Sequence, residues 1–79
     1  MTKAEYGKCE KLMFDAIQKV KQADEEYKAY NQLINNDTIK AEIEQRKADQ
    51  HYGEAVGINQ VLATLGFKHD RMKKLSELL

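Results

Sequence analysis

The stretch from Tyr6 to Ile34 reads YGKCEKLMFDAIQKVKQADEEYKAYNQLI, and residues 35–38 after it read NNDT. Apolar residues return in the first stretch every seven positions. One column is Tyr6, Met13, Val20, Tyr27 and Ile34. A second, three residues later, is Cys9, Ala16, Ala23 and Tyr30. Leu12, Phe14, Ile17 and Leu33 widen the stripe. Spacings of three and four over four heptads predict one long amphipathic helix of the coiled-coil kind. Asp15 precedes Lys19 by four positions, as Asp24 precedes Lys28. Acid-before-base pairs at that spacing each add roughly 0.2–0.5 kcal/mol.

On the N-terminal side, Thr2-x-x-Glu5 has capping-box spacing, and Met1 and Tyr6 fall at the two staple positions. The first helix is therefore predicted over about residues 3–34. On the other side, Asn35, Asn36, Asp37 and Thr38 compete for backbone hydrogen bonds and serve well as caps. They predict a turn at 35–37 and a new helix start. So short a connection sends the second helix back antiparallel to the first.

That second helix is predicted over about residues 38–65. Its first half is mostly charged, and its second half carries Ala55, Val56, Ile58, Val61, Leu62 and Leu65. Gly53 and Gly57 sit four apart inside it. Two interior glycines cost roughly 1–2 kcal/mol relative to alanine. Either another helix approaches closely there, or the helix breaks near Gly53. Leu65-Gly66-Phe67 has the form of a glycine-terminated helix end with a hydrophobic fold-back. After a turn at 66–69, a third helix over about 70–79 places Met72, Leu75, Leu78 and Leu79 on one side. It is predicted to cover Leu62, Leu65 and Phe67. The expected fold is all-α: a single domain, residues 1–79, with a long antiparallel coiled-coil-like hairpin and a short C-terminal helix.

Composition narrows the function. The chain has 79 residues, 42% hydrophobic and 33% charged, with one cysteine and a formal net charge of zero. That is too short for two domains. It is too apolar and too neutral for disorder. A lone cysteine excludes an internal disulfide and fits a reducing, cytoplasmic setting. No apolar run approaches the ~20 residues that a membrane span needs.

The seam between the two long helices is rich in small residues: Cys9, Ala16, Ala23, Ala48, Gly53, Ala55 and Gly57. Such a seam buries little area per residue. The remaining apolar side chains exceed what one seam can hide, and broad exposed apolar strips mark association surfaces. Self-association is expected, most simply as a two-fold homodimer. The alternative is a strip reserved for a different, unidentified protein. The residues expected at this interface are Leu12, Ile17, Tyr27, Tyr30, Leu33, Tyr52, Val56 and Val61. Tyrosine suits contacts with one wet edge.

Catalysis needs convergent polar groups in a concave site, and the candidates are sparse. His51 and Glu54 lie three apart, His69 follows Gly66, and Cys9 falls in the apolar seam. Zinc wants about four ligands, whereas Cys9, His51 and His69 are far apart in sequence. The expectation is a chain with no enzymatic activity, cofactor, metal or small-molecule substrate. A rival reading takes residues 58–76 as a helix-turn-helix-like segment, with Lys68, Arg71, Lys73 and Lys74 touching nucleic acid. Asp70 and Glu77 offset those four bases, and zero net charge weighs against a nucleic-acid partner. The leading expectation is a small non-catalytic intracellular interaction protein. Chains of this build, phage- and mobile-element-encoded ones among them, often serve as regulators, adaptors or inhibitors, which is an argument by analogy.

Overall fold

A computed structural model describes residues 1–79 as three helices: α1 (Lys3–Leu33), α2 (Thr38–Thr64) and α3 (Asp70–Leu78). The local signals explain the boundaries. The Thr2 hydroxyl accepts from the Glu5 amide at 3.1 Å, and the Glu5 carboxylate accepts from the Thr2 amide at 3.2 Å. The capping box is thus complete. Asp37 caps α2 by accepting from the Lys40 amide. At the end of α2, Gly66 takes φ 72°. The Gly66 amide donates to Ala63 and the Phe67 amide to Leu62, which is the Schellman pattern.

α1 and α2 lie antiparallel as a rod with extents of 51 × 17 × 16 Å. The heptad columns of α1 form its buried stripe: Cys9, Met13, Ala16, Val20 and Ala23, with Ile17 beside them. Ala41, Ala48, Ala55 and Leu62 answer from α2 at steps of seven. Nine residues make one core at the base of the rod, the half away from the 35–37 turn, where α3 packs on the hairpin. They include Met13, Ile17, Leu62, Phe67 and Leu75, with Ile58, Met72 and Leu79 packed against them. No helix is long and apolar enough to cross a membrane.

Three expectations need correction. α2 runs unbroken through Gly53 and Gly57, and a Cβ at either position would meet no atom within 4 Å. Neither a break nor close packing within the chain explains these glycines. Ile17 is 5% exposed and belongs to the core. It leads the heptad column Val20 by three, so it turns inward where α3 adds a third wall. Finally, α3 covers Leu62 and Phe67 but leaves Leu65 58% exposed. Leu65 follows Leu62 by three residues, and the chain turns away at Gly66 before α3 can reach it. Leu78 is likewise exposed while Leu75 and Leu79 pack inward.

Candidate interaction surface

The base of the rod has one covered side and one bare side. On the covered side, α3 is tied down by His69 and Tyr52. The His69 Nδ1 accepts from the Arg71 amide at 3.1 Å, which caps α3. The same ring therefore carries its proton on Nε2, 2.9 Å from the Glu10 carboxylate of α1. It forms a three-ring cluster with Phe67 and Tyr6, whose own centroids are 5.1 Å apart, Phe14 meets it edge-on, and the Arg71 guanidinium lies over Phe14. The Tyr52 hydroxyl donates to the main-chain oxygen of Leu79.

Val61 follows Tyr52 by nine residues, two and a half turns, so it faces away from α3. There the hairpin has no third wall. Leu12, Gly57, Ile58 and Val61 line a shallow open groove. Leu12 is 42% exposed and Val61 53%. The groove continues along Gly57, Val61 and Leu65. An ion pair between Lys19 and Glu54 at 2.7 Å closes its far end. That pair holds the Glu54 carboxyl below its ordinary range, with Gln50 assisting, and raises the Lys19 ammonium above its own.

Toward the tip, polar links replace apolar packing across the hairpin. His51 bonds Glu26 through Nδ1, and the Tyr27 hydroxyl donates to Asp49 at 2.5 Å. The Asp49 carboxylate accepting that proton raises the Tyr27 hydroxyl above its ordinary value. Three isoleucines of the tip turn outward. Ile39 is 73% exposed, and Ile34 and Ile43 are exposed as well.

Of the residues predicted at the interface, only Leu12 and Val61 are brought together on one exposed surface. Tyr27 and Tyr52 spend their hydroxyls inside the chain. Val56, one turn from Tyr52, lies on the side of α2 that Tyr52 shares with α3 and is half-buried. Tyr30 and Leu33 are half-buried near the tip. Sequence reasoning missed Ile39, Ile43 and Leu65. The signal was present: two isoleucines four apart in an otherwise charged segment, each two residues, and so about 200° around the helix, from the alanine at position 41 that is buried.

Lys68, Lys73 and Lys74 are exposed, interleaved with exposed Asp70 and Glu77, while Arg71 is engaged with Phe14. The basic end is therefore of mixed sign. Cys9 is a buried free thiol, and no three His, Cys, Asp or Glu side chains gather where they could hold a metal ion. Comparison with known protein families, characterised proteins and solved structures found no match.

Proposed function

We propose that this chain is a non-catalytic interaction protein that works by self-association through the bare side of its hairpin. One observation supports this above the others: Leu12, Val61 and Leu65 form a continuous exposed apolar strip where α3 does not reach. Burial of such a strip is the main favourable contribution in most protein–protein association.

Surface area points the same way. A globular chain of 9.1 kDa exposes roughly 4,900 Å², whereas this rod exposes 5693 Å². The excess of roughly 800 Å² follows from the 51 × 17 × 16 Å shape, and it leaves as much surface open as each partner contributes to a standard interface. The titratable groups near the strip form pairs across the hairpin, such as Lys19 with Glu54, and do not converge on a common point. That arrangement suits a rim of contacts better than a reaction centre.

Sedimentation equilibrium tests the reading. The wild-type chain is expected to be a dimer at micromolar concentration. Val61→Glu, at an exposed position, should leave helicity unchanged and weaken association roughly tenfold or more, the cost of stranding a charge in an apolar contact. A wild-type monomer across the micromolar range overturns the reading.

A further inference from the structure

We infer that the second copy docks antiparallel along α2, about a two-fold axis level with Tyr52. Ile39 and Ile43 of each copy then cover Leu65 and Val61 of the other. This rests on the self-association reading above and assigns its geometry.

The first ground is the spacing of exposed apolar residues on α2. Ile43 and Val61 are eighteen positions apart, which is five whole turns, so they lie on one line about 27 Å apart. Ile39 and Leu65 lie about one turn beyond each end, roughly 40° to either side of that line, and all four side chains are exposed. Between the two apolar ends the line is polar, with exposed Lys47, Gln50 and Glu54. A stripe that is apolar, polar and apolar again matches a copy of itself in two alignments, parallel and antiparallel.

Charge separates the two. A parallel pair sets Glu54 on Glu54 and Lys47 on Lys47, which is repulsive. An antiparallel pair centred on residue 52 sets Lys47 within one turn of Glu54 of the second copy, where it joins that copy's own Lys19 at the carboxylate, twice by symmetry. It also opposes the two helix dipoles, which a parallel pair would align. Lys47 has the reach for this, since its side chain is 55% exposed and held only by Glu44 at 3.5 Å.

The glycines supply the second ground. Gly53 and Gly57 lie beside this midpoint on α2, and their missing Cβ atoms leave open space within the chain. Small residues near a helix crossing let two backbones approach closely. Helix interiors disfavour glycine, and a second α2 passing here accounts for both positions.

The groove is the third. Leu12, Ile58 and Val61 form a recess at the base, while the tip offers isoleucines that its own hairpin does not cover. Antiparallel docking brings each tip to the other copy's base, so one contact covers both exposed sets.

The test uses the full chain in a Cys9→Ala background with single spin labels. Labels replace Lys40 or Gln60, both exposed, and dipolar spectroscopy reads the distance between copies. Separations along the axis of about 36 Å at position 40 and about 24 Å at position 60 follow from 1.5 Å per residue about residue 52. Equal short distances at both sites would establish a parallel pair and overturn the inference. A second measurement uses Ile39→Glu, remote from the groove of its own chain. It is expected to weaken the dimer as strongly as Leu65→Glu, tenfold or more, because the two residues share a contact. A dimer lost in Val61→Glu but intact in Ile39→Glu keeps the self-association reading and removes the antiparallel geometry. A wild-type monomer removes both.

Discussion

The base and the tip of this rod are held together by different physics. At the base, three helices enclose large side chains: Met13, Leu62 and Leu75 are fully buried and Phe67 nearly so. Toward the tip, two helices enclose only Ala23, Ala41 and Ala48. Ile34, Ile39 and Ile43 point outward there, and the helices are joined at their edges by Tyr27 with Asp49 and Glu26 with His51. Alanine allows close approach but removes little apolar area from water, at roughly 25 cal/mol per Å². The base thus supplies the hydrophobic stabilisation, and the tip is an extension whose outer face is left for another surface.

If that division is right, the two ends must respond oppositely to changes in side-chain size. The largest effect belongs to the base. Leu62→Ala is expected to destabilise by about 2–5 kcal/mol, the range for emptying a filled core site. Urea unfolding followed by circular dichroism measures it. A loss under about 1 kcal/mol would mean that the base is not the anchor. The tip should fail in the other direction. Ala48 is fully buried in a two-helix seam, so Ala48→Leu is expected to cost about 1–3 kcal/mol through overpacking. A neutral or stabilising result would show slack at the tip and erase the contrast.

The hairpin itself was legible in the sequence because its signals are local. Thr2 with Glu5, Asp37, and Gly66 with Phe67 each act within a few residues, and the heptad columns need only one helix to be read. What lay between helices was not legible. Ile17 sits on the flank of its stripe, so whether it is core or surface depends on where α3 docks. The pairing of Tyr27 with Asp49 or Glu10 with His69 depends on the register of α1 against its neighbours, which no single segment encodes. Gly53 and Gly57 misled for a related reason. Their spacing implies a close neighbour, and the chain itself provides none.

The third helix offers a sharper test of what makes the base different. His69 is both the cap of α3 and its bond to α1, through the two nitrogens of one ring. His69→Ala removes both interactions and is expected to cost about 1–2 kcal/mol, mostly the cap. Hydrogen exchange should show the loss concentrated at residues 70–78, with the tip unaffected. His69→Asn, which restores a capping acceptor without reaching Glu10, should recover part of it. Uniform acceleration along the rod would mean that α3 and the tip unfold as one unit, contrary to the two-part picture.

The smallest expected effect concerns the polar links of the tip, and its sign follows from linkage. Tyr27 donates to the Asp49 carboxylate, and that bond raises its hydroxyl above the ordinary value of 10.0. A group that binds its proton more tightly when folded stabilises the fold while that proton is on. The contribution is complete below pH 10.0 and disappears as pH rises through the higher folded value. Ionised Tyr27 would also lose its donor and face Asp49 as a like charge. The bond is solvent-accessible, so Tyr27→Phe is expected to cost only about 0.5–1 kcal/mol at neutral pH. The discriminating measurement is the difference between wild type and Tyr27→Phe as pH rises. It should stay constant up to about pH 10 and shrink above it, as the wild type loses what the variant never had. A difference that persists unchanged into strong alkali would mean that the proton shared with Asp49 does not carry the effect of the Tyr27 hydroxyl. The polar link would then not be what joins the helices at the tip, and the contrast with the base would lose its second half.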